Sequence, residues 1–153
     1  MIAFFTSPIA LSALTAMLLA QAIKVPIEYL RYKRLDWSLF LNAGGMPSSH
    51  SAMMAAVTTS IGLHIGWDNP VFILAIAISL IVVYDATNIR RQAGLHAERI
   101  NQIVNGIVAD HNLPKEEIDN LREVLGHSPG EASVGVLLGI VVALVFYFLM
   151  SVN

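Results

Sequence analysis

Gly44-Gly45-Met46-Pro47-Ser48-Ser49-His50-Ser51 sets hydroxyls and an imidazole between a glycine–proline turn and the start of an apolar run. A serine at a helix start caps unpaired amides. The same amides, with the helix dipole, attract anions. An imidazole there gives or takes a proton near neutral pH. A second stretch, Gly126-His127-Ser128-Pro129-Gly130-Glu131, is built alike, with a carboxylate four residues after its histidine. Lys24, Arg31, Arg90 and Arg91 add fixed cations. Together these are the parts that phosphoryl transfer needs. A phosphate dianion takes cationic donors, best of all the arginine fork, and helix-start amides donate without reorganising. One histidine attacks phosphorus while a second protonates the leaving alkoxide. A carboxylate on the attacking ring's other nitrogen fixes its tautomer. That chemistry calls for no cofactor and no metal, and no Asp/Glu/His cluster here has the pattern of a metal cage.

The elements that must position these residues are membrane helices. With 153 residues, 56% hydrophobic, 13% charged and a mean hydropathy of +0.65, the chain is too apolar for an ordinary soluble domain. A net charge of −2 argues against nucleic acid as a partner, and zero cysteines exclude disulfides, thiolate metal sites and cysteine nucleophiles. The expectation is one all-α membrane domain over residues 1–153, a bundle of about four transmembrane helices with amphipathic helices outside the membrane. Spans are expected at about 4–23, 48–65, 71–89 and 132–152. Ala20-Gln21-Ala22 has the look of a signal cleavage site, but no Lys or Arg precedes Lys24, so the first span is read as retained. Lys24 and Glu28, four apart, suit a helix continuing out of the membrane. The second span, rich in Ala, Ser and Thr, suits close helix packing more than lipid contact. Asp85 inside the third span is costly and needs a partner, with Lys24 and Arg90 both in reach of the pattern. Residues 92–126 read as two amphipathic helices, the second starting at Pro114 and closed by Gly126.

Four alternating spans bring Lys24–Arg31, Pro47–His50, Arg90–Arg91 and His127–Glu131 to one membrane face, which also holds all nine Lys and Arg. The positive-inside rule makes that face cytoplasmic and puts both termini outside, in a bacterial cytoplasmic membrane. Small residues between helices point to a homodimer.

The chain resembles the type-2 phosphatidic acid phosphatase superfamily, related to the vanadium-dependent haloperoxidases, and within it the short divergent branch. The superfamily's first motif is Lys, six residues, Arg-Pro; Lys24 and Arg31 keep the spacing and Tyr32 stands for the proline. Its Pro-Ser-Gly-His motif appears as Pro47-Ser48-Ser49-His50. The end of its third motif, His, three residues, Asp, appears as His127 and Glu131. The arginine that precedes that histidine in the superfamily is missing, and Arg90 or Arg91 would have to supply it. The resemblance implies a membrane-embedded phosphatase for a lipid phosphate or diphosphate. His127 would be the nucleophile forming a phosphohistidine, Glu131 its orienter and His50 the general acid. Lys24, Arg31, Ser48, Ser49 and Arg90 or Arg91 would hold phosphate oxygens, with Asp85 and Glu28 organising the site.

Rival readings stay open at this point. Ser128 and Glu131 have capping-box spacing, so Glu131 either caps the last helix or orients His127. Arg90 with His96 makes a competing third motif, although Ile100 occupies its acid position. The altered motifs also suit a catalytically silent protein that binds anionic lipid or scaffolds a partner, and Asp85 alone prompts a transporter.

Overall fold

The computed structural model describes residues 6–33, 44–111, 120, 121, 123 and 125–151, and all regular structure among them is helical. Helix α1 (Pro8–Tyr32) starts with Pro8 in its first turn, where a missing N–H costs nothing. It ends as Lys33 enters the left-handed region (φ 55°) and donates its N–H to Tyr29 O at 2.9 Å. Ser12, Ala16, Ala20 and Lys24 recur every four residues, so they share one face, and each is at most 1% exposed. The lysine therefore ends a stripe of small residues that lies against the rest of the bundle.

Helix α2 (Ser49–Ile65) packs against α1, against α3 (Pro70–Tyr84) and against α5 (Pro129–Ser151), so it occupies the centre. Its buried residues are small: Ala52, Ala55, Ala56, Ser60 and Gly62 among them. Inside lipid, helix association rests on close approach more than on hydrophobic transfer. Gly135 and Gly139 show how close: a Cβ on either would collide with the backbone of Ser48 or Ala52 respectively. Ala16, Ala20, Ala52, Ala56, Val142 and Ala143 form the core between α1, α2 and α5, covered by Leu138 and Phe146. A buried hydrogen bond between the Ser12 and Ser60 hydroxyls, 2.7 Å, ties α1 to α2.

Asn69 caps α3 by accepting the Val71 N–H at 2.9 Å. The helix then passes through one π-helical turn (Asp85–Ile89) into α4 (Arg90–His111) without a break. Among the described residues, three stretches are long and apolar enough to cross a membrane: Pro8–Leu30, Pro70–Val108 and Pro129–Ser151. The expected fourth span is α2, whose 17 residues give about 26 Å of helix at 1.5 Å per residue, enclosed by the others. Two boundaries differ from expectation. Arg90 and Arg91 do not close the third helix, because Arg90 pairs with Asp85 one π turn back and no proline follows. The amphipathic helix expected from Pro114 falls mostly outside the described residues; at 120, 121, 123 and 125 the chain is irregular.

Candidate functional site

The site begins with a change of hydrogen-bond register. In the π turn the Arg90 N–H reaches back five residues to Asp85 O. Ala86 O is then available to a different partner, the backbone N–H of His127, at 2.9 Å. Gly126 makes this possible twice over. It sits at φ +78°, where side chains are strained. It also lies so close to Arg91 N, Ala86 O and Arg90 C that a Cβ would have no room. Further back, Asn101 anchors the same segment to α4. Its Nδ2 donates to Leu121 O and to Glu123 Oε1, both at 2.8 Å, and its Oδ1 accepts the Leu121 N–H at 2.9 Å. His127 is thus fixed in place by backbone contacts before its side chain contributes.

From the other side come the turn and cap before α2. Gly45 takes φ +85°, the Met46–Pro47 peptide is cis, and Ser48 is wholly buried. The Ser48 hydroxyl accepts from Ser51 N–H at 3.3 Å and from the Ser51 hydroxyl at 3.0 Å. Its backbone N–H donates to Glu131 O at 3.1 Å. That bond, with the glycine contacts of α5, locks the start of α2 to the start of α5. Two helix N-termini therefore lie side by side.

A small cleft at this end is lined by His50, Val82, Asp85, Ala86, Arg90 and His127. His50 is exposed in the first turn of α2. Arg90 donates Nε–H to Asp85 Oδ2, which gives the carboxylate within the span its partner. Lys24 lies within electrostatic reach of both histidines and of Glu131, and its stem passes Gly45. His127 is 3% exposed. Neither of its ring nitrogens makes a hydrogen bond of good geometry among the described residues, although the Gly45 backbone lies within polar reach of the ring. Glu131 Oε2 stands 3.6 Å from Nδ1, beyond hydrogen-bond length. Leaving a buried polar group unpaired costs about 1–3 kcal/mol, so such a group asks for a functional reason. Burial first, and then the positive charge of Lys24, push the imidazole below the ordinary histidine range, against the pull of Glu131 and of the Gly45 backbone. Burial thus favours the neutral ring.

The remaining expected residues fall as follows. Glu131 completes the capping box: Ser128 N–H donates to Oε2 at 2.9 Å, and Glu131 N–H donates to the Ser128 hydroxyl at 3.3 Å. The cap and the approach to Nδ1 use the same carboxylate oxygen. Ser49 is buried beside the cap. Glu28 is half-buried one turn past Lys24. Arg31 lies in the last turn of α1, and its side chain is outside the described residues, as are Tyr32 and His111. Arg91 is exposed and does not line the cleft, and His96 is exposed further along α4. Of the two arginines it is Arg90 that lines the cleft, and of the two histidines it is His127. The π turn and the Asn101 anchor had no counterpart in the residue pattern, and Gly126, read there as a helix end, is instead a point of close approach to the π turn and α4.

The divergent PAP2 family matches residues 5–142. The chain belongs to that family. It is 43% identical over 149 residues to the uncharacterised membrane protein YuiD of Bacillus subtilis (strain 168), covering 92% of this chain and 94% of that protein. No solved structure matches the chain. It is an integral membrane protein related to the PAP2-type phosphatases, and its helical bundle agrees with that membership.

Proposed function

We propose that the protein is a metal-independent phosphatase that hydrolyses a lipid phosphate or diphosphate through a phosphohistidine on His127. One observation carries this reading: a buried imidazole with neither nitrogen in a hydrogen bond of good geometry among the described residues, in a cleft with His50 and Arg90 and near Lys24. Glu131 faces Nδ1, so Nδ1 holds the proton and the lone pair of Nε2 is the nucleophile. Nε2 attacks phosphorus, the bond from phosphorus to the lipid oxygen breaks, and His50 gives that oxygen its proton. His50 then takes a proton from water as the water attacks the phosphohistidine, which releases phosphate and restores the ring. Arg90, whose Nε is held by Asp85, presents its terminal nitrogens to the phosphate oxygens, and Lys24 adds charge. The site faces the cytoplasm, as the distribution of Lys and Arg supports.

The purified protein in detergent should release phosphate from phosphatidic acid or a prenyl diphosphate in the presence of a chelator, and vanadate should inhibit it. Full turnover by His127→Ala, or loss of turnover on chelation, would overturn the mechanism. A second reading, a silent headgroup-binding protein, is favoured by Glu131 and Ser48 being committed to caps. Phosphatidic acid binding that survives both His50→Ala and His127→Ala, with no turnover in the parent protein, would select it.

A further inference from the structure

Below the cleft, α3 and α5 diverge, and each packs on α2 instead of on the other. The gap holds a cavity of about 260 Å³ whose floor is α2 and whose walls carry Ile76, Leu80 and Val83 on one side and Val136 and Ile140 on the other. Two of its four hydroxyls, those of Thr58 and Ser79, are 2.7 Å apart, and each also reaches a carbonyl, that of Ala75 or Met54. The Ser51 hydroxyl donates to Ser48, and Thr59 supplies the fourth. The groove therefore offers a ligand mostly apolar surface, which suits hydrocarbon. It is too small for a helix about 10 Å across and falls just below the range of small-molecule sites, which run from about 300 Å³.

The groove adjoins the polar cleft along two helices. On α2, His50 lines the cleft and the next residue, Ser51, lines the groove; on α3, Val82 lines the cleft and Val83 the groove. A further opening, lined by Thr87, Pro129 and Ala132, shares Val83 and Val136 with the groove, and its Pro129 is two residues from His127 in the chain.

We infer that this groove is the tail subsite of the protein: it takes one hydrocarbon chain of the lipid whose phosphate lies at His127, admitted sideways from the bilayer between α3 and α5. The inference rests on the reading of the cleft as a phosphate site. It adds a consequence that the cleft alone does not carry, namely that the tail is seated on named residues of three helices.

The test uses the full chain in phosphatidylcholine vesicles with a phosphatidic acid carrying a diazirine in one acyl chain, photolysed and mapped by peptide mass spectrometry. Adducts are expected on Ile76, Leu80, Val136 or Ile140, displaced by unlabelled phosphatidic acid and not by extra phosphatidylcholine. Leu80→Trp and Val136→Trp should each remove them. Each should also lower the ratio of long-chain to short-chain phosphate release by about tenfold or more, the low end of what apolar pocket contacts contribute. Adducts confined to the outward residues Leu74 and Ile81 would overturn the inference. So would groove adducts equally displaced by phosphatidylcholine, or a crosslink showing a second copy in the groove. Specific groove adducts without any phosphate release would uphold the tail subsite and remove the phosphatase reading. Phosphate release without groove adducts would do the reverse.

Discussion

Two histidines mark opposite ends of α2 and its neighbours, and they are treated differently. His64, near the far end, has Nδ1 2.9 Å from Ser60 O and meets the Tyr147 ring edge-on at 5.2 Å. That end is closed by ordinary means: Asn69 caps α3, and Trp67 lies against Gly62 and edge-on to Phe72. His127 is more deeply buried than His64, yet neither of its nitrogens makes a hydrogen bond of good geometry among the described residues, in a neighbourhood supplied with cations, hydroxyls and helix starts. A bundle that satisfies its polar groups at one end and withholds partners at the other is organised for a guest at the second. The same contrast exists between helix contacts. The α2–α5 seam is so tight that glycine is required at two positions, whereas the α3–α5 side stands open.

Substitution of the two histidines should separate the ends most widely. His127→Ala is expected to cut phosphate release by about 10⁴-fold or more, as loss of a nucleophile does. His64→Ala should leave turnover near the parent value and cost only about 0.5–1.5 kcal/mol through the lost ring contact, read by thermal unfolding in detergent. Comparable losses at the two positions would erase the distinction.

The seam gives the next largest effect. Gly139→Leu should destabilise the protein by about 1–3 kcal/mol or more through overpacking against Ala52 and Ala55, and should lower activity as the start of α2 shifts. Gly106→Ala, on the exposed part of α4 with nothing near its Cβ, should instead be neutral or stabilise by up to about 1 kcal/mol.

Asn101→Ala tests the anchor of the His127 segment. It should cost about 1 kcal/mol and lower kcat more than it changes KM, because the nucleophile loses its placement. Equal stability loss with unchanged kcat would make the anchor purely structural.

Acid should act through His127. Folding favours the neutral imidazole of His127, whose folded value lies below the unfolded one of about 6.5. The stability that this contributes is complete above pH 6.5 and is lost as pH falls from there through the folded value. His127→Gln should flatten that part of the pH–stability curve.

Much of this arrangement was legible in the residues. Uncharged runs marked the helices, the small residues of α2 marked a packed helix, and alternation of spans brought Lys24, His50, Arg90 and His127 to one end. The choice between Arg90 and Arg91 was not legible, because it depends on the π turn, a change of hydrogen-bond register that no residue pattern announces. The continuation of α3 into α4 was hidden for the same reason: two arginines after an apolar run look like a membrane boundary until Asp85 is seen to pair with one of them. Glu131 could not be resolved into cap or orienter from spacing, since one oxygen meets Ser128 N–H and stands 3.6 Å from His127 Nδ1.

The central claim is that His127 becomes covalently bonded to phosphorus. Incubation with phosphatidic acid labelled in its phosphate, rapid alkaline quench and peptide mapping tests it directly. The account expects an acid-labile, alkali-stable phosphate on the peptide holding His127, absent from His127→Ala and accumulating when His50 is replaced. Phosphate on another residue, or turnover with no labelled protein at any time, would contradict it.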